Sequence, residues 1–269
     1  MKKCLKYLLI AILILGFKSG AYISSSFAGE MILIPAGEFI MGSNPVDDGR
    51  RGFGHGVDEE PRHKVKLDAF YIDQYEVTIE EYREFLDATG REWYGDAEDE
   101  SRYSSLPVER DFNIPDSGRH PVNYIAWNDA YDFCRWKGKR LPTEFEWEKA
   151  ARGTDGRKWP WGNEFDKTKA NVEENSLRRT AAIGNYPEDK SPFGLYDVSG
   201  NVSEWTSSHY LPYPGNTFDD GMYSKNVYVL KGGSFLLPGI LYGRPAARSL
   251  AFPAYNHRMY GIRCAKDAN

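Results

Sequence analysis

The sequence lacks a long run of basic residues. Its formal net charge is −5 at pH 7, from 34 Lys and Arg against 39 Asp and Glu. Nucleic acid is therefore not an expected partner, because its phosphates require clustered positive charge. Residues 1–28 hold four of the lysines and no acid, so the net charge without that segment is −9.

A long hydrophobic run is also missing. The apolar stretch from Tyr7 to Phe17 has 11 residues, which is short for a bilayer span. Lysines precede it, and Ser26–Ala28 fits the small-x-small rule for cleavage before Gly29. This pattern predicts a signal peptide over 1–28, with an uncleaved anchor as the alternative. We expect a periplasmic or secreted protein without a stable membrane anchor after cleavage.

Cysteine is scarce, with three residues in the chain. Cys4 precedes the apolar run, so signal cleavage would leave Cys134 and Cys264. Two cysteines in an oxidising compartment favour one disulfide. Two separate buried thiols are the alternative, and the spacing alone leaves both open.

Three short helices are predicted, all in the first part of the chain. Two begin at the capping boxes Thr78–Glu81 and Thr143–Glu146. Asn128 or Asp129 is the predicted N-cap of the third. Glycines mark the three ends: Gly90, Gly153 and Gly138. No helix is predicted in the last 116 residues.

The predicted strands are short. Two lie within residues 31–42 around a turn at Pro35–Gly37, one spans 65–72, and one spans 227–230. Residues 43–62 and 91–119 are expected to be polar loops. The sequence shows no internal repeat and no linker, so residues 29–269 are predicted to form a single domain.

Several segments resemble, in the same order, the sulfatase-modifying-factor family, to which the formylglycine-generating enzymes belong. The resemblance covers about 235 residues. It is carried by residues 34–43, 70–78, 120–122, 127–130, 138–148, 159–163, 194–205, 232–234 and 261–264. It implies an α+β fold, a variant of the C-type-lectin fold with little regular structure and short helices around small antiparallel sheets. It also implies a disulfide between Cys134 and Cys264.

The resemblance implies a reaction that this sequence is not equipped to perform. The family's best-known enzymes oxidise a substrate cysteine at a copper(I) ion held by two cysteines shortly after Gly-Gly-Ser. Residues 232–249 contain no cysteine, and Leu237 and Tyr242 stand near those positions. Copper is not expected, because copper(I) prefers thiolate ligands. No catalytic residue is identified, and the candidates for the groove are Ser234, Leu237, Tyr242, Arg248 and His257.

Two of these candidates have alternative roles. Arg248 could clamp a carboxylate or a peptide carbonyl, or it could form a structural ion pair. None of the five histidines forms an i, i+4 pair or an H-x-E arrangement. Each histidine is expected to be a surface or hydrogen-bonded residue, and an iron site of three histidines, or of two histidines and a carboxylate, is the alternative. An oxidoreductase with altered chemistry would have Tyr242, Tyr255, Tyr260 and His257 lining its site.

A loop with regularly spaced oxygen donors predicts a structural calcium site. Its ligands would be the side chains of Asp197 and Glu204 and the carbonyls of Gly200 and Val202, which match the family's calcium positions. The alternative is a turn with Asp197 as a local cap and Glu204 in an ion pair. A second calcium at Asn171 and Val172 is disfavoured by the shorter connection that follows.

These features support two functions. The first is a binding or accessory maturation protein for a protein or peptide ligand. The second is a periplasmic oxidoreductase that modifies a protein or peptide by a different centre.

Overall fold

The computed structural model describes residues 30–44, 56–93, 116–219 and 221–268. The predicted signal peptide, His55 and large parts of the two predicted polar loops lie outside the described residues.

In the described residues, nine short strands form three separate sheets. The strands are β1 (Met31–Ile34), β2 (Gly37–Met41), β3 (His63–Leu67), β4 (Phe70–Asp73), β5 (Ser203–Tyr210), β6 (Ser224–Lys231), β7 (Ser249–Ala251), β8 (Tyr260–Gly261) and β9 (Ala265–Asp267). The strand orders are β1-β4-β9, β2-β3 and β7-β6-β5-β8. All pairings are antiparallel except that of β5 with β8.

Within the described part of the chain, four α-helices accompany the sheets: α1 (Ile79–Thr89), α2 (Trp127–Trp136), α3 (Glu144–Arg152) and α4 (Gly239–Tyr242). Both predicted capping boxes form, at the N-termini of α1 and α3. The third predicted cap is wrong: Ala126 is the N-cap of α2 and makes no side-chain hydrogen bond. The backbone N–H of Trp127 donates instead to the carbonyl of Pro253, at 3.1 Å. The short helix α4 was not predicted.

Two strand predictions differ from the structure. Residues 65–72 do not form one strand, because the chain breaks after Leu67. β3 pairs with β2, and β4 pairs with β1 and β9. β5 was not predicted, although it is the centre of the largest sheet. Its sequence is mostly polar, yet its first four residues are buried.

Two main hydrophobic clusters hold the sheets and helices together. One contains Phe85 of α1, Phe133 of α2, and Trp205 and Leu230 of the largest sheet. The other packs Trp147 of α3 against β1 and β4. The mixed α+β architecture with few regular elements agrees with the expectation from the sequence.

A disulfide crosses the first cluster. Cys134 of α2 and Cys264 are joined, with their Cα atoms 5.6 Å apart. Both cysteines are fully buried. In the described part of the chain, no helix has the length and apolar composition that a membrane crossing requires.

Candidate functional site

A groove of about 440 Å³ opens beside α4 and the largest sheet. It is about half open to solvent and combines apolar and polar side chains. Its lining is Gly56, Asp58, Glu59, Ser203, Tyr210, Phe218, Leu237, Leu241, Tyr242, Arg244, Ala247, Arg248, Ser249, Leu250, Met259 and Tyr260. These residues come from six separate stretches of the chain, so the groove exists only in the folded protein.

Three of the five predicted groove residues meet here, and two do not. Leu237, Tyr242 and Arg248 line the groove. Ser234 is buried, and its Oγ accepts from the backbone N–H of Leu236 at 3.3 Å. His257 lies beyond the lining, with its ring 5.5 Å from that of Tyr260.

The backbone that carries Leu237 and Tyr242 depends on glycine. Gly233 has a φ of 71°, in the left-handed region that glycine tolerates best. A Cβ at this position would lie 2.9 Å from the backbone carbonyl of Tyr242. The Gly-Gly-Ser segment therefore lets α4 fold back closely onto the sheet.

The guanidinium of Arg248 is held from several directions. It donates to both carboxylate oxygens of Glu144, at 3.0 and 3.1 Å. It also donates to the carbonyls of Asp58 and Leu211, each at 3.0 Å. The ring of Tyr213 stacks on it at 4.3 Å. Arg248 thus supports the groove floor by an ion pair, and most of its donors are already used.

A second buried ion pair also contributes to the lining of the groove. Arg244 donates to both carboxylate oxygens of Glu59, each at 2.7 Å. Both side chains are buried. The hydroxyl of Ser43 donates to the same carboxylate at 2.6 Å. Because each arginine is matched by a carboxylate, the two pairs add little net charge to the groove.

Asp58 adds a carboxylate that neither arginine binds. It follows Val57 in a single 3-10 turn, Val57–Glu59. The hydroxyl of Tyr210 donates to its Oδ2 at 3.1 Å. Burial raises the pKa of Asp58, and the charge of Glu59 adds to that rise, while Arg248 opposes it.

The predicted calcium loop is built around a buried carboxylate. Glu76 accepts from the backbone N–H of Val202 at 3.0 Å and from the side-chain amide of Asn201 at 2.6 Å. A Cβ on Gly200 would lie 2.3 Å from the carbonyl of Asn171, so only glycine fits there. The loop is therefore fastened to two distant segments of the chain.

Glu204 is committed to an ion pair. Arg263 binds both of its carboxylate oxygens at 2.7 to 3.0 Å, and the indole N–H of Trp147 donates to Oε2. Glu204 and Arg263 are fully buried. These contacts use the acceptor positions of the carboxylate, so Glu204 does not fit as a calcium ligand in this arrangement.

Other oxygens near the loop fit a cation better. Asp197 is buried, and burial raises its pKa to about 7. Asn171 Oδ1 and Asp189 Oδ1 are buried without a hydrogen-bond partner. Buried polar atoms normally have a partner, so these two favour an added cation. Calcium stays a prediction at Asp197, Gly200 and Val202, where the ion pair with Arg263 disfavours Glu204 as a ligand. The second calcium at Asn171 and Val172 stays a separate prediction.

Within the described ranges, no three side chains of His, Cys, Asp or Glu are arranged to hold a metal ion. The iron alternative therefore finds no ready-made ligand set there.

Sequence reasoning missed Asp58, Glu59 and Glu144 as parts of the groove. Glu144 lies 104 residues from Arg248, and Glu59 lies 185 residues from Arg244. The only local signal was the acidic run at residues 58–60, which is equally typical of a solvated turn.

The relatives of the chain come from bacteria and mammals. A formylglycine-generating enzyme of Mus musculus is 33% identical over 88% of this chain and 75% of its own length. A hercynine oxygenase of Mycolicibacterium smegmatis is 32% identical over 89% of this chain. An inactive C-alpha-formylglycine-generating enzyme 2 of Bos taurus is 35% identical over 67% of this chain. The relatives thus include oxidoreductases and one protein named as inactive.

Some relatives are much longer than this chain. The chain spans 54% of the uncharacterized protein YfmG of Bacillus subtilis, at 34% identity. It spans 62% of the hercynine oxygenase.

Solved structures share the fold. PvdO from Pseudomonas aeruginosa superimposes with a TM-score of 0.70 at 27% identity, over 90% of this chain and 95% of its own. Treponema denticola variable protein 1 gives a TM-score of 0.65 at 23% identity, over 88% and 95% of the two chains.

The model of the sulfatase-modifying factor enzyme 1-like domain matches residues 24–268. The chain therefore belongs to the sulfatase-modifying factor enzyme 1-like family and has that family's variant of the C-type-lectin fold.

Proposed function

We propose that this is an exported binding or accessory maturation protein whose groove holds a protein or peptide segment without oxidising it at a copper–cysteine centre. The observation that carries the proposal is the lining of the groove. Leu237 and Tyr242 occupy it near the positions where the resemblance implies cysteines. Neither side chain is a soft ligand for copper(I).

The cysteine inventory supports the same proposal. The sequence has three cysteines, and Cys134 and Cys264 are joined in a buried disulfide. Only Cys4 is left, so the chain has no pair of free thiols while the disulfide is intact. A buried disulfide also favours an oxidising compartment, as expected for an exported protein.

The size and the lining of the groove suit a peptide segment. Its volume of about 440 Å³ lies within the usual range of ligand sites. Both apolar side chains and hydroxyl groups line it, and Phe218 in the lining is 42% exposed. A peptide offers both apolar side chains and backbone hydrogen-bonding groups, so it matches such a lining.

The inactive Bos taurus relative supports a non-oxidising role by its name. The hercynine oxygenase and formylglycine-generating relatives favour the alternative, an oxidoreductase acting by a different centre. That alternative requires a redox centre other than a copper–cysteine pair.

Peptide binding tests the proposal directly. The probe is an array of N-acetylated, C-amidated decapeptides of varied sequence, read with the purified protein. Leu241→Arg places a charge in the groove, and the matched control Ile240→Arg changes a neighbouring side chain that is 49% exposed and outside the lining. We expect Leu241→Arg to weaken binding at least about tenfold and Ile240→Arg to leave it unchanged. No bound peptide, or equal binding by both variants, would overturn the proposal.

Metal analysis of the same preparation separates the two functions. We expect retained calcium, a lower melting temperature after chelation, and no oxygen uptake with a cysteine-containing decapeptide. Stoichiometric copper or iron together with oxygen uptake would establish the oxidoreductase instead.

A further inference from the structure

The carboxylate of Asp58 is an unbalanced charge in the groove. Of the charged groups in the lining, Arg244 is bound by Glu59, and Arg248 is bound by Glu144 behind the floor. Arg248 approaches Asp58 only at its backbone carbonyl, at 3.0 Å. Among the described residues, no Lys, Arg or His donates a hydrogen bond to the Asp58 carboxylate. One negative charge is left over in a partly buried place.

A partly buried carboxylate with no cation hydrogen-bonded to it is costly, even with the charge of Arg248 nearby. Desolvation disfavours its ionised form, which agrees with the raised pKa of Asp58. A ligand that carries a positive charge would remove this cost. The Arg244–Glu59 and Arg248–Glu144 pairs are each neutral overall, so they would repel such a ligand little.

Four aliphatic side chains line the same groove as Asp58. Leu237 and Leu241 come from the α4 side, Leu250 comes from β7, and Met259 precedes β8. Flexible or branched aliphatic side chains of this kind pack against methylene chains. The lining of the groove therefore combines aliphatic side chains with the carboxylate of Asp58.

Hydrogen bonding decides between the two kinds of basic group. Oδ2 of Asp58 already accepts from Tyr210. Guanidinium groups favour two free oxygens of one carboxylate, whereas an ammonium is a compact charge that needs one acceptor. The Asp58 carboxylate also accepts a backbone hydrogen bond within its own residue, so it lacks two free oxygens and suits an ammonium better.

We propose that Asp58 and the aliphatic walls of the groove form a subsite for a protonated amine on an aliphatic stem, as in a lysine side chain. The subsite rests on the proposed function, because it defines which peptides the groove selects. A free alkylamine shares this chemistry and is the second possible source.

The test uses three probes in calorimetric titrations: a capped pentapeptide with a central lysine, the same peptide with N-acetyl-lysine, and n-butylamine. N-acetyl-lysine keeps the stem and removes the charge. The variant Asp58→Asn keeps the shape of the side chain, and Tyr210 can still donate to its amide oxygen. Asp219→Asn makes the same change at an exposed acid outside the lining and serves as the control.

We expect the lysine peptide to bind about 10- to 100-fold more tightly than the acetylated peptide, from the usual strength of a charged hydrogen bond. Asp58→Asn should abolish this preference, and Asp219→Asn should preserve it. Binding of butylamine that also depends on Asp58 would support the subsite and assign it to free amines.

Equal binding of the two peptides, both weakened by Leu241→Arg, would overturn the subsite and leave the proposed function standing. Failure of both peptides and of the decapeptide array would overturn the proposed function as well. A lysine preference that persists in Asp58→Asn would overturn the assignment to Asp58, because another group would then recognise the ammonium.

Discussion

Arg263 has its guanidinium fully buried, in an environment dominated by acids. It binds Glu204 with two nitrogens and also donates to the carbonyls of Asp73, Gln74 and Tyr196. One side chain thus ties the end of β4, the predicted calcium loop and β5 together. Its charge also lowers the cost of burying the carboxylates around it.

His120 is a second buried residue whose charge state matters. Its Nδ1 lies 2.8 Å from the hydroxyl of Thr180. Burial lowers the pKa of His120 to about 4, and the nearby charge of Arg179 acts in the same direction. The unfolded chain, with a histidine pKa of about 6.5, therefore binds a proton more readily than the folded one.

This difference predicts acid sensitivity. The contribution of His120 to stability is complete above about pH 6.5 and is lost as the pH falls to about 4, by roughly 3 kcal/mol. The variant His120→Asn can keep a hydrogen bond to Thr180 without titrating. Urea unfolding between pH 4 and 7 should therefore show a shallower loss for the variant than for the wild type. Parallel curves would contradict the assignment.

Individual groove residues could be predicted only where the family resemblance gives their position in the sequence. Leu237 and Tyr242 could be placed by counting from Gly232 along the resemblance. The partners of Arg248 could not, since Asp58 is 190 residues away and Glu144 is 104 away. Ion pairs between such distant residues leave no periodic pattern in a sequence.

At the scale of elements, α3 has an unusually charged buried face. Glu144, Glu148, Lys149 and Arg152 are all buried. Glu148 accepts from Arg152 at 2.9 Å and from Lys231 of β6 at 3.1 Å. The helix is thus joined to the largest sheet by ion pairs as well as by the packing of Trp147.

Glu148→Leu should destabilise the fold strongly. It leaves the charges of Lys231 and Arg152 buried without their carboxylate, which typically costs about 3–5 kcal/mol. Urea denaturation measures the loss. Adding Lys231→Met to the same chain should recover part of it, because one buried charge is then removed.

An exposed pair on α1 supplies the control. Glu84 binds Lys137 at 3.0 Å, but its side chain is 60% exposed. Glu84→Ala should change the free energy of unfolding by less than about 1 kcal/mol, as surface pairs usually do. Similar losses in the free energy of unfolding for Glu148→Leu and Glu84→Ala would show that the buried ion pairs contribute no more than the exposed pair.

The elements that the sequence predicted well carry their own local signals. The capping boxes at Thr78 and Thr143 determine the N-termini of α1 and α3 from a few neighbouring residues. β5 has no such signal, because the residues from Ser203 to Tyr210 are mostly polar. Its place in the sheet depends on partners such as Lys231 and Leu230, which lie far along the chain.

For the whole molecule, the disulfide joins two regions that are distant in the sequence. Cys134 and Cys264 are separated by 130 residues. They connect α2 to the segment just before β9. Because the cross-link closes a long loop, it restricts the unfolded chain more than the folded one.

Removal of this cross-link should lower the stability of the whole domain. The loop-entropy model gives up to about 5 kcal/mol for a loop of this length. We expect a lower melting temperature for Cys134→Ala/Cys264→Ala and for the wild type in reductant. Reductant should not change the double variant further. Unchanged melting of the reduced protein, with free thiols verified, would refute the prediction.

The sheet topology was beyond the reach of local patterns. β4 pairs with β1 on one side and with β9 on the other, so Phe70 lies opposite both Ile34 and Asp267. Composition and turn signals indicated few regular elements, and only the resemblance supplied their arrangement.

The pairing of β4 with both β1 and β9 brings the two ends of the described domain close together. Strands are about 4.8 Å apart and rise about 3.4 Å per residue, so Met31 and Asp267 are on the order of 15 Å from each other. A domain whose first and last strands lie close together can be inserted into another chain as a unit. It can be inserted into a surface loop of another protein without distorting that protein. It can also be circularly permuted, with a short linker from β9 to β1 and new termini elsewhere in the chain.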